Sequence, residues 1–324
     1  MTDAAKAATA LKLGTRRSKL AMAQSGHVAT WVRELTGREV ELVEITTYGD
    51  VSKEQLAQIG GTGVFVTALR DALLRGEVDF AVHSLKDLPT AQPDELALAA
   101  VPVREDPRDV LVARDGLTFA ELPEGARIGT GSPRRMAQLN AYARSHGMKI
   151  ETVPIRGNID TRVGYVRNGE LDAVVLAAAG LRRIGRVEEV SEFLDTDVCL
   201  PAPGQGALAI ECAAVNADLA AQLAELDDPH TRFAVTAERA LLAALEAGCS
   251  APVGALADFL VDGQIVNQMR LRGVVGSTDG TELVQLSTTG PVPTSHHAAE
   301  ALGRELASEM LAKGAAGLMG ERAL

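Results

Sequence analysis

Cysteine is scarce in this chain: Cys199, Cys212 and Cys249 are odd in number, widely separated, and include no Cys-x-x-Cys pair. Such spacing supplies neither a disulfide framework nor a zinc site, and at least one thiol stays unpaired within the chain. The six histidines form no His-x-x-x-His, so no metal centre is expected. No run approaches the roughly 18 uninterrupted apolar residues of a membrane span, and the start, MTDAAKAATALKLG, lacks the apolar stretch of a secretion signal. A cytoplasmic protein without membrane contact is the expectation. Positive charge is in deficit, with 32 Lys and Arg against 43 Asp and Glu and a net charge of -11. A duplex-tracking protein would need a strong local patch to overcome that repulsion, so nucleic acid is not an expected partner. With 31 Gly and 13 Pro the chain also falls short of a low-complexity or collagen-like composition.

What is present is a globular composition, 46% hydrophobic and 23% charged, over 324 residues, enough for two or three domains. From Leu11 to about Leu226 short β-branched runs alternate with amphipathic helices. Strands are expected over Val40 to Thr47, Asp79 to Ser84, Ala97 to Val103, Val110 to Ala113, Arg127 to Gly129, Ile150 to Ile155 and Ala173 to Ala177. Helical periodicity puts Leu20, Ala23, His27, Trp31 and Leu35 on one face, and Phe65, Leu69, Ala72 and Leu73 on another. The alternation predicts a doubly wound α/β region. Polar, proline-bounded Pro102 to Pro107 reads as a connection between two α/β lobes, with a second crossing near Pro201 to Gly206. Beyond Pro229 come a helix to about Ala247, strands around Ala257 to Leu260, Ile265 to Val275 and Glu282 to Thr288, and a helix from about His297, which reads as a small α+β domain.

Arginines stand where helix starts should be acidic. Helix N-termini carry partial positive charge, so Arg there opposes the dipole. In Gly129-Thr-Gly-Ser-Pro-Arg-Arg135, Ser132 suits an N-cap and Pro133 a first residue, which places Arg134 and Arg135 in the first turn. Thr15-Arg-Arg-Ser18 and Arg156-Gly-Asn158, followed by Arg162, repeat the pattern. All three are strand-to-helix junctions, and open α/β sheets bind ligands at the carboxyl ends of their strands. The shared explanation is a polyanionic ligand, carboxylate or phosphate. Arg182 and Arg183 either add to that surface or are simply solvated. A nucleotide is not supported, because no G-x-x-x-x-G-K-[ST] is present and Gly129-Thr-Gly131 is only G-x-G.

The apolar run Asp79-Phe-Ala-Val-His-Ser ends in Lys86 and Asp87. At the carboxyl end of a strand, beside cationic groups, a carboxylate can act as general acid, general base or stabiliser of a cation, or it can be a surface residue before a turn. His83, mid-strand, reads as a hydrogen-bonded core residue. Cys249 follows a helix whose Phe233, Ala237, Leu241 and Leu245 face inward, with Gly248 as the expected C-cap. Nothing local marks it as a low-pKa thiol, and an inert buried thiol is the default for all three cysteines.

The set His83-Ser-Leu-Lys-Asp87, Gly131-Ser-Pro-Arg-Arg135, Arg156-Gly-Asn158 with Arg162, Leu200-Pro-Ala-Pro-Gly-Gln-Gly206 and Glu246-Ala-Gly-Cys-Ser250 closely resembles the porphobilinogen deaminase (hydroxymethylbilane synthase) family, from about Leu11 to the C-terminus. Five motifs in one order make the likeness specific. It implies two doubly wound lobes like those of bivalve (type II) solute-binding proteins, over 8–102 with 205–226 and over 108–200, and a C-terminal α+β domain over 229–324. It implies a transferase of heme and tetrapyrrole biosynthesis that joins four porphobilinogen molecules head to tail, loses ammonia at each addition, and releases hydroxymethylbilane. It further implies a monomer with a dipyrromethane cofactor held by a thioether to Cys249. By the same likeness Asp87 is the catalytic carboxylate, and Lys86, Ser132, Arg134, Arg135, Arg156 and Arg162 bind the cofactor with Cys249. Arg16, Ser18, Arg183 and Phe65 bind substrate. The acetate and propionate groups of each ring suit the fork geometry of guanidinium, which accounts for arginines at three helix starts.

Some positions depart from the family pattern. Gln58, Thr62, Thr67 and Tyr48 stand where basic residues are common, and Gly131 replaces a frequent serine. Phe65 either covers the pyrroles or faces the core. A two-lobed receptor for a polycarboxylate would use the same arginines but needs neither Asp87 nor Cys249.

Overall fold

The computed structural model describes residues 10–45, 63–247, 251–262 and 265–319. The chain divides into two compact units, Met1–Arg104 with Ala207–Arg232, and Glu105–Gly206 with Phe233–Leu324. Unit 1 begins with β1 (Leu11–Thr15), α1 (Lys19–Thr36), β2 (Val40–Glu44), α2 (Gly63–Leu74), β3 (Phe80–Ser84) and β4 (Leu96–Ala100). Unit 2 receives β5 (Asp109–Ala113), β6 (Ala126–Gly129), α3 (Pro133–Ser145), β7 (Ile150–Val153), α4 (Ile159–Arg167), β8 (Ala173–Ala177), α5 (Ala178–Arg183) and β9 (Glu192–Phe193). The chain returns to unit 1 with β10 (Leu208–Ala213) and α6 (Ala217–Leu223). Helix α7 (Pro229–Ala244) straddles the last boundary, and β11 (Val253–Asp262), β12 (Ile265–Gly276), β13 (Leu283–Pro291) and α8 (His296–Ala312) follow in unit 2.

Each unit holds a five-stranded sheet of the same plan, β2-β1-β3-β10-β4 in unit 1 and β7-β6-β8-β5-β9 in unit 2. Three parallel strands lead in each, and the fourth strand, β10 or β5, runs antiparallel to both its neighbours. In both sheets that antiparallel strand is the first one laid down after the chain crosses from the other unit, β5 on entry to unit 2 and β10 on return to unit 1. Both faces of each sheet are covered, so strands such as Phe80–Ser84 and Ala173–Ala177 are buried almost throughout. In unit 1, Leu13, Phe80 and Ile210 pack with Val28 and Val32 on one face, while Ala81 and Val78 meet Leu69 and Leu73 on the other. In unit 2, Ile128 and Val175 meet Leu139, and Val174 and Leu176 meet Val163 and Leu181. Phe80 is fully buried, and its replacement by Ala is expected to cost roughly 3–5 kcal/mol.

The third sheet, β11-β12-β13, is antiparallel; on one face Leu241 of α7, Leu245 just beyond it, and Leu306 and Met310 of α8 bury Met269, Leu271 and Val275, and on the other Leu256 and Val274 pack with Leu200. Exposed and half-buried residues alternate along β13, the period of an edge strand covered on one face. Ser295 caps α8, and His296 and His297 are exposed at its start.

Three readings of the sequence are corrected. Helix α1 buries Gln24, Ser25, Val28, Ala29 and Val32, not the face of Leu20, His27 and Trp31, and Trp31 remains 37% exposed. The buried face packs Val28, Ala29 and Val32 into the core beneath the sheet, and Ser25 Oγ donates to Thr15 Oγ1 at 2.8 Å. The first strand of the C-terminal sheet starts at Val253, before the apolar alternation that signals Ala257. Strands β9 and β10 have no counterpart among the expected strands, and β1 enters the sequence reading only as the strand implied before the Thr15 junction, since pairing rather than local pattern defines them. No helix among the described residues is long and apolar enough to cross a membrane.

Candidate active site

Unit 1 carries a cavity of about 200 Å³ at the carboxyl ends of β1 and β3. Its lining includes Arg16, Ser18, Gln24, His83, Ser84 and Asp87. Local chemistry explains each position. Ser18 is the N-cap of α1 and accepts from the Ala21 N–H at 3.2 Å, which leaves its O–H to donate elsewhere. Half-buried Arg16 lies just ahead of that cap. After β3 the chain tightens into a 3-10 turn, Leu85–Asp87, which presents Asp87 at the cavity wall. The Asp87 carboxylate accepts no hydrogen bond from the described residues, whereas Gln24 Nε2 donates to Ser84 Oγ at 3.0 Å beside it. Lys86 shares the 3-10 turn but does not line the cavity.

Behind the cavity lies Glu211, a fully buried carboxylate in the middle of β10. Arg70 grips it through Nε at 3.1 Å and Nη2 at 2.7 Å, and Gln92 Nε2 donates at 3.2 Å. His83 Nε2 stands 3.1 Å from the other carboxylate oxygen, off the line of a good hydrogen bond. Burial pushes the Glu211 carboxyl up, but the contacts of His83 and Arg70 outweigh it and hold the group at about 2. The expected core role of His83 is thereby refined: it is buried, yet it forms part of the cavity floor.

Unit 2 gathers the remaining arginines. Gly157, with φ 106°, turns the chain into α4, where Asn158 accepts from the Thr161 N–H at 2.9 Å as N-cap. Arg156 is exposed and makes no hydrogen bond or ion pair with the described residues. Arg162 donates through Nε to the Gly157 carbonyl at 2.9 Å, and Arg183 donates through Nη2 to the Gly206 carbonyl at 2.6 Å. Neither has a carboxylate partner among the described residues. Burial pushes both guanidiniums down to about 10, with the charge of Arg135 adding to the effect on Arg162. Neighbouring Arg182 is different, because it pairs with Asp106 at 3.4 Å and Glu105 at 3.7 Å.

Arg134 and Arg135 occupy the first turn of α3, after Ser132 and Pro133, as the sequence predicts. The dipole conflict has an internal answer there: both side chains are buried against Asp109, itself fully buried at the start of β5. Arg134 Nη1 lies 2.7 Å from Asp109 Oδ2, and Arg135 Nη2 lies 2.7 Å from Oδ1. Burial opposes ionisation of Asp109, but the two guanidiniums outweigh it and hold the carboxyl well below the usual range. Ser132 makes no side-chain capping bond, so its hydroxyl is not committed to the helix.

The donor set suits a polycarboxylate such as a dipyrromethane, because Arg162 and Arg183 are desolvated and, like exposed Arg156, form no ion pair with a carboxylate among the described residues. Gly131 is exposed, and a Cβ there would lie 2.5 Å from the Ile155 carbonyl, which explains why serine does not fit this chain without a backbone shift. Cys249, the Phe65 side chain, Tyr48, Gln58 and Thr62 lie outside the described residues. Thr67 is exposed on α2. Asp109, Glu211, Arg70 and Gln205 escaped the reading of the sequence. The available signal was a charge set inside an apolar strand, as in Asp-Val-Leu-Val-Ala and Leu-Ala-Ile-Glu-Cys-Ala.

Comparison with known proteins completes the picture. The family model for the dipyromethane cofactor binding domain of porphobilinogen deaminase matches residues 11–221, and that for the C-terminal domain of the same enzyme matches residues 232–312. Porphobilinogen deaminase 1 of Streptomyces avermitilis is 83% identical over 97% of this chain and 98% of its own length. Porphobilinogen deaminase of Thermobifida fusca is 56% identical over 95% of each chain. Among solved structures, the methionine binding protein MetQ aligns over 67% of this chain and 89% of its own, at 11% identity and a TM-score of 0.42. Family matches in both parts of the chain, and relatives of this identity along nearly all of it, make the chain a member of the porphobilinogen deaminase family.

Proposed function

We propose that this chain condenses four porphobilinogen molecules head to tail on a dipyrromethane held by a thioether at Cys249, with Asp87 as the catalytic carboxylate. It loses ammonia at each addition and releases hydroxymethylbilane, the reaction of its family. The same reading places it in the cytoplasm as a monomer that binds no nucleic acid.

The dipyrromethane supplies a nucleophilic pyrrole carbon and several carboxylates. Every other contribution comes from the chain. Asp87 lines a cavity and its carboxylate accepts no hydrogen bond from the described residues, so it can stabilise positive charge on pyrrole N–H groups and move a proton. Arg16, Ser18, Arg183 and Phe65 serve substrate. Lys86, Ser132, Arg134, Arg135, Arg156 and Arg162 serve the cofactor, chiefly by guanidinium–carboxylate pairing.

One observation carries the site assignment: a cavity-lining carboxylate, Asp87, in unit 1, and Arg156, Arg162 and Arg183 in unit 2, without a carboxylate ion pair among the described residues, occur in a chain of this family. The test is the intact mass of purified, active protein. The expected result is an excess of two linked pyrrole units that disappears in Cys249→Ser. A bare-chain mass in active material would overturn the reading.

A further inference from the structure

Five donors converge on the carboxylate of Asp109. Oδ1 receives Arg135 Nε at 3.1 Å, Arg135 Nη2 at 2.7 Å and Gln205 Nε2 at 2.9 Å. Oδ2 receives Arg134 Nη1 at 2.7 Å and the Cys199 thiol at 3.3 Å. Two carboxylate oxygens offer about four lone-pair sites, so this acceptor is saturated. Its backbone is fixed as well, because Asp109 pairs with Ala177 across the sheet and its carbonyl accepts from the Leu194 N–H at 3.0 Å.

The two arginines are held differently. Arg135 meets Asp109 side-on through Nε and Nη2, and its Nη1 donates to the Val175 carbonyl at 2.9 Å. Arg134 is held at one corner only, since all its hydrogen bonds to the described residues leave from Nη1, to Asp109, the Leu200 carbonyl and Cys199. Its Nε and Nη2 edge, on a residue only 3% exposed, has no acceptor among the described residues. One buried negative charge between two buried positive ones also leaves the cluster with a net charge of one. Without the carboxylate, the two guanidiniums would repel each other in a poorly solvated site.

We propose that Asp109 is a positioning residue for the carboxylate-binding site: it pins Arg134 and Arg135 from behind and leaves the outer edge of Arg134 as a prepared donor pair for one ligand carboxylate. The proposal rests on the reading of Arg134 and Arg135 as cofactor-binding residues. Gln205 and Cys199 hold Asp109 in turn, which gives the Pro-Gly-Gln-Gly segment a role in the site through its glutamine.

The test compares purified full-length Asp109→Asn, Gln205→Met and Arg134→Lys, measuring thermal midpoint, cofactor occupancy by intact mass, and kcat and KM for porphobilinogen. Folded Asp109→Asn is expected to lose cofactor occupancy and raise KM by tenfold to a hundredfold on the order of a misplaced binding group, while kcat of loaded molecules changes less than about threefold. A purely structural Asp109 would move the midpoint alone, so wild-type occupancy and KM in the folded variant would overturn the proposal. If Asp109→Asn does not fold, Gln205→Met decides: reduced occupancy with a several-fold higher KM supports it, and wild-type values refute it. Arg134→Lys separates the two layers. Wild-type loading in that variant removes the carboxylate-site reading itself, whereas impaired loading there beside a normal Asp109→Asn removes only the positioning role.

Discussion

Arg70 closes on Glu211 with both Nε and Nη2, at 3.1 and 2.7 Å, and so ties helix α2 to the strand that returns to unit 1. The carboxyl sits at about 2 instead of its ordinary 4.5. A depressed acid contributes stability that is fully present above its unfolded value and is lost as pH falls through the folded one. Urea midpoints should therefore hold near neutrality and decline between pH 4.5 and about 2, by on the order of 3 kcal/mol for this group. Glu211→Gln should be less stable at pH 7 and show a flatter decline over that window. An unchanged slope would exclude Glu211 as a source of the acid sensitivity.

Asp87→Asn keeps the shape of the cavity wall while removing the charge and the titrating oxygen. Intact mass should show the cofactor still attached, with bilane production reduced by roughly a hundredfold or more. Normal turnover in that variant would take Asp87 out of the mechanism.

Arg156 is exposed and bonded to nothing among the described residues, so the fold does not need it. Arg156→Leu should leave the unfolding free energy within about 0.5 kcal/mol of wild type. Cofactor loading or KM for porphobilinogen should worsen by about tenfold, the loss of one charge-assisted contact. Wild-type loading and kinetics would remove it from the site.

At Gly131 the obstacle is backbone. A side chain there points at the Ile155 carbonyl from 2.5 Å. Gly131→Ser should lower stability by about 1–3 kcal/mol, measured as a lower urea midpoint at constant m-value. Equal midpoints would mean that the loop after β7 yields without cost.

The thiols give a simple check on burial. Cys199 is fully buried, and desolvation beside Asp109 pushes it up to about 12, outweighing the nearby guanidiniums. Cys212 is also buried and raised. Neither should react with iodoacetamide in the native protein at pH 8, whereas both should be alkylated in urea. Peptide mapping that finds native Cys199 labelled as fast as a solvated thiol would contradict this packing.

Much of the site was legible because its chemistry is local. Strand-to-helix junctions announce themselves through Ser18, Ser132-Pro133 and Asn158, and arginines at such junctions are anomalous on dipole grounds alone. The apolar run ending at Asp87 likewise placed an acid at the end of a buried strand. Legibility failed where a partner lies far along the chain. Nothing near Arg134 points to Asp109, 25 residues earlier, and nothing near His83 points to Glu211 on a strand more than a hundred residues away. Helix α1 shows the same limit: periodicity defines more than one face, and contact with the sheet selects that of Gln24, Ser25, Val28, Ala29 and Val32 over that of Leu20, His27 and Trp31.

By itself the sequence determined most element types, the junction arginines, the acid at the end of a buried strand and the family, since each depends on residue kind, spacing and order. The tertiary structure alone decided which charges neutralise which, which arginines keep an unengaged edge, and that β5 and β10 run against their neighbours. Those outcomes depend on pairing across long loops, where burial raises the cost of every unmatched charge and so selects one set of partners.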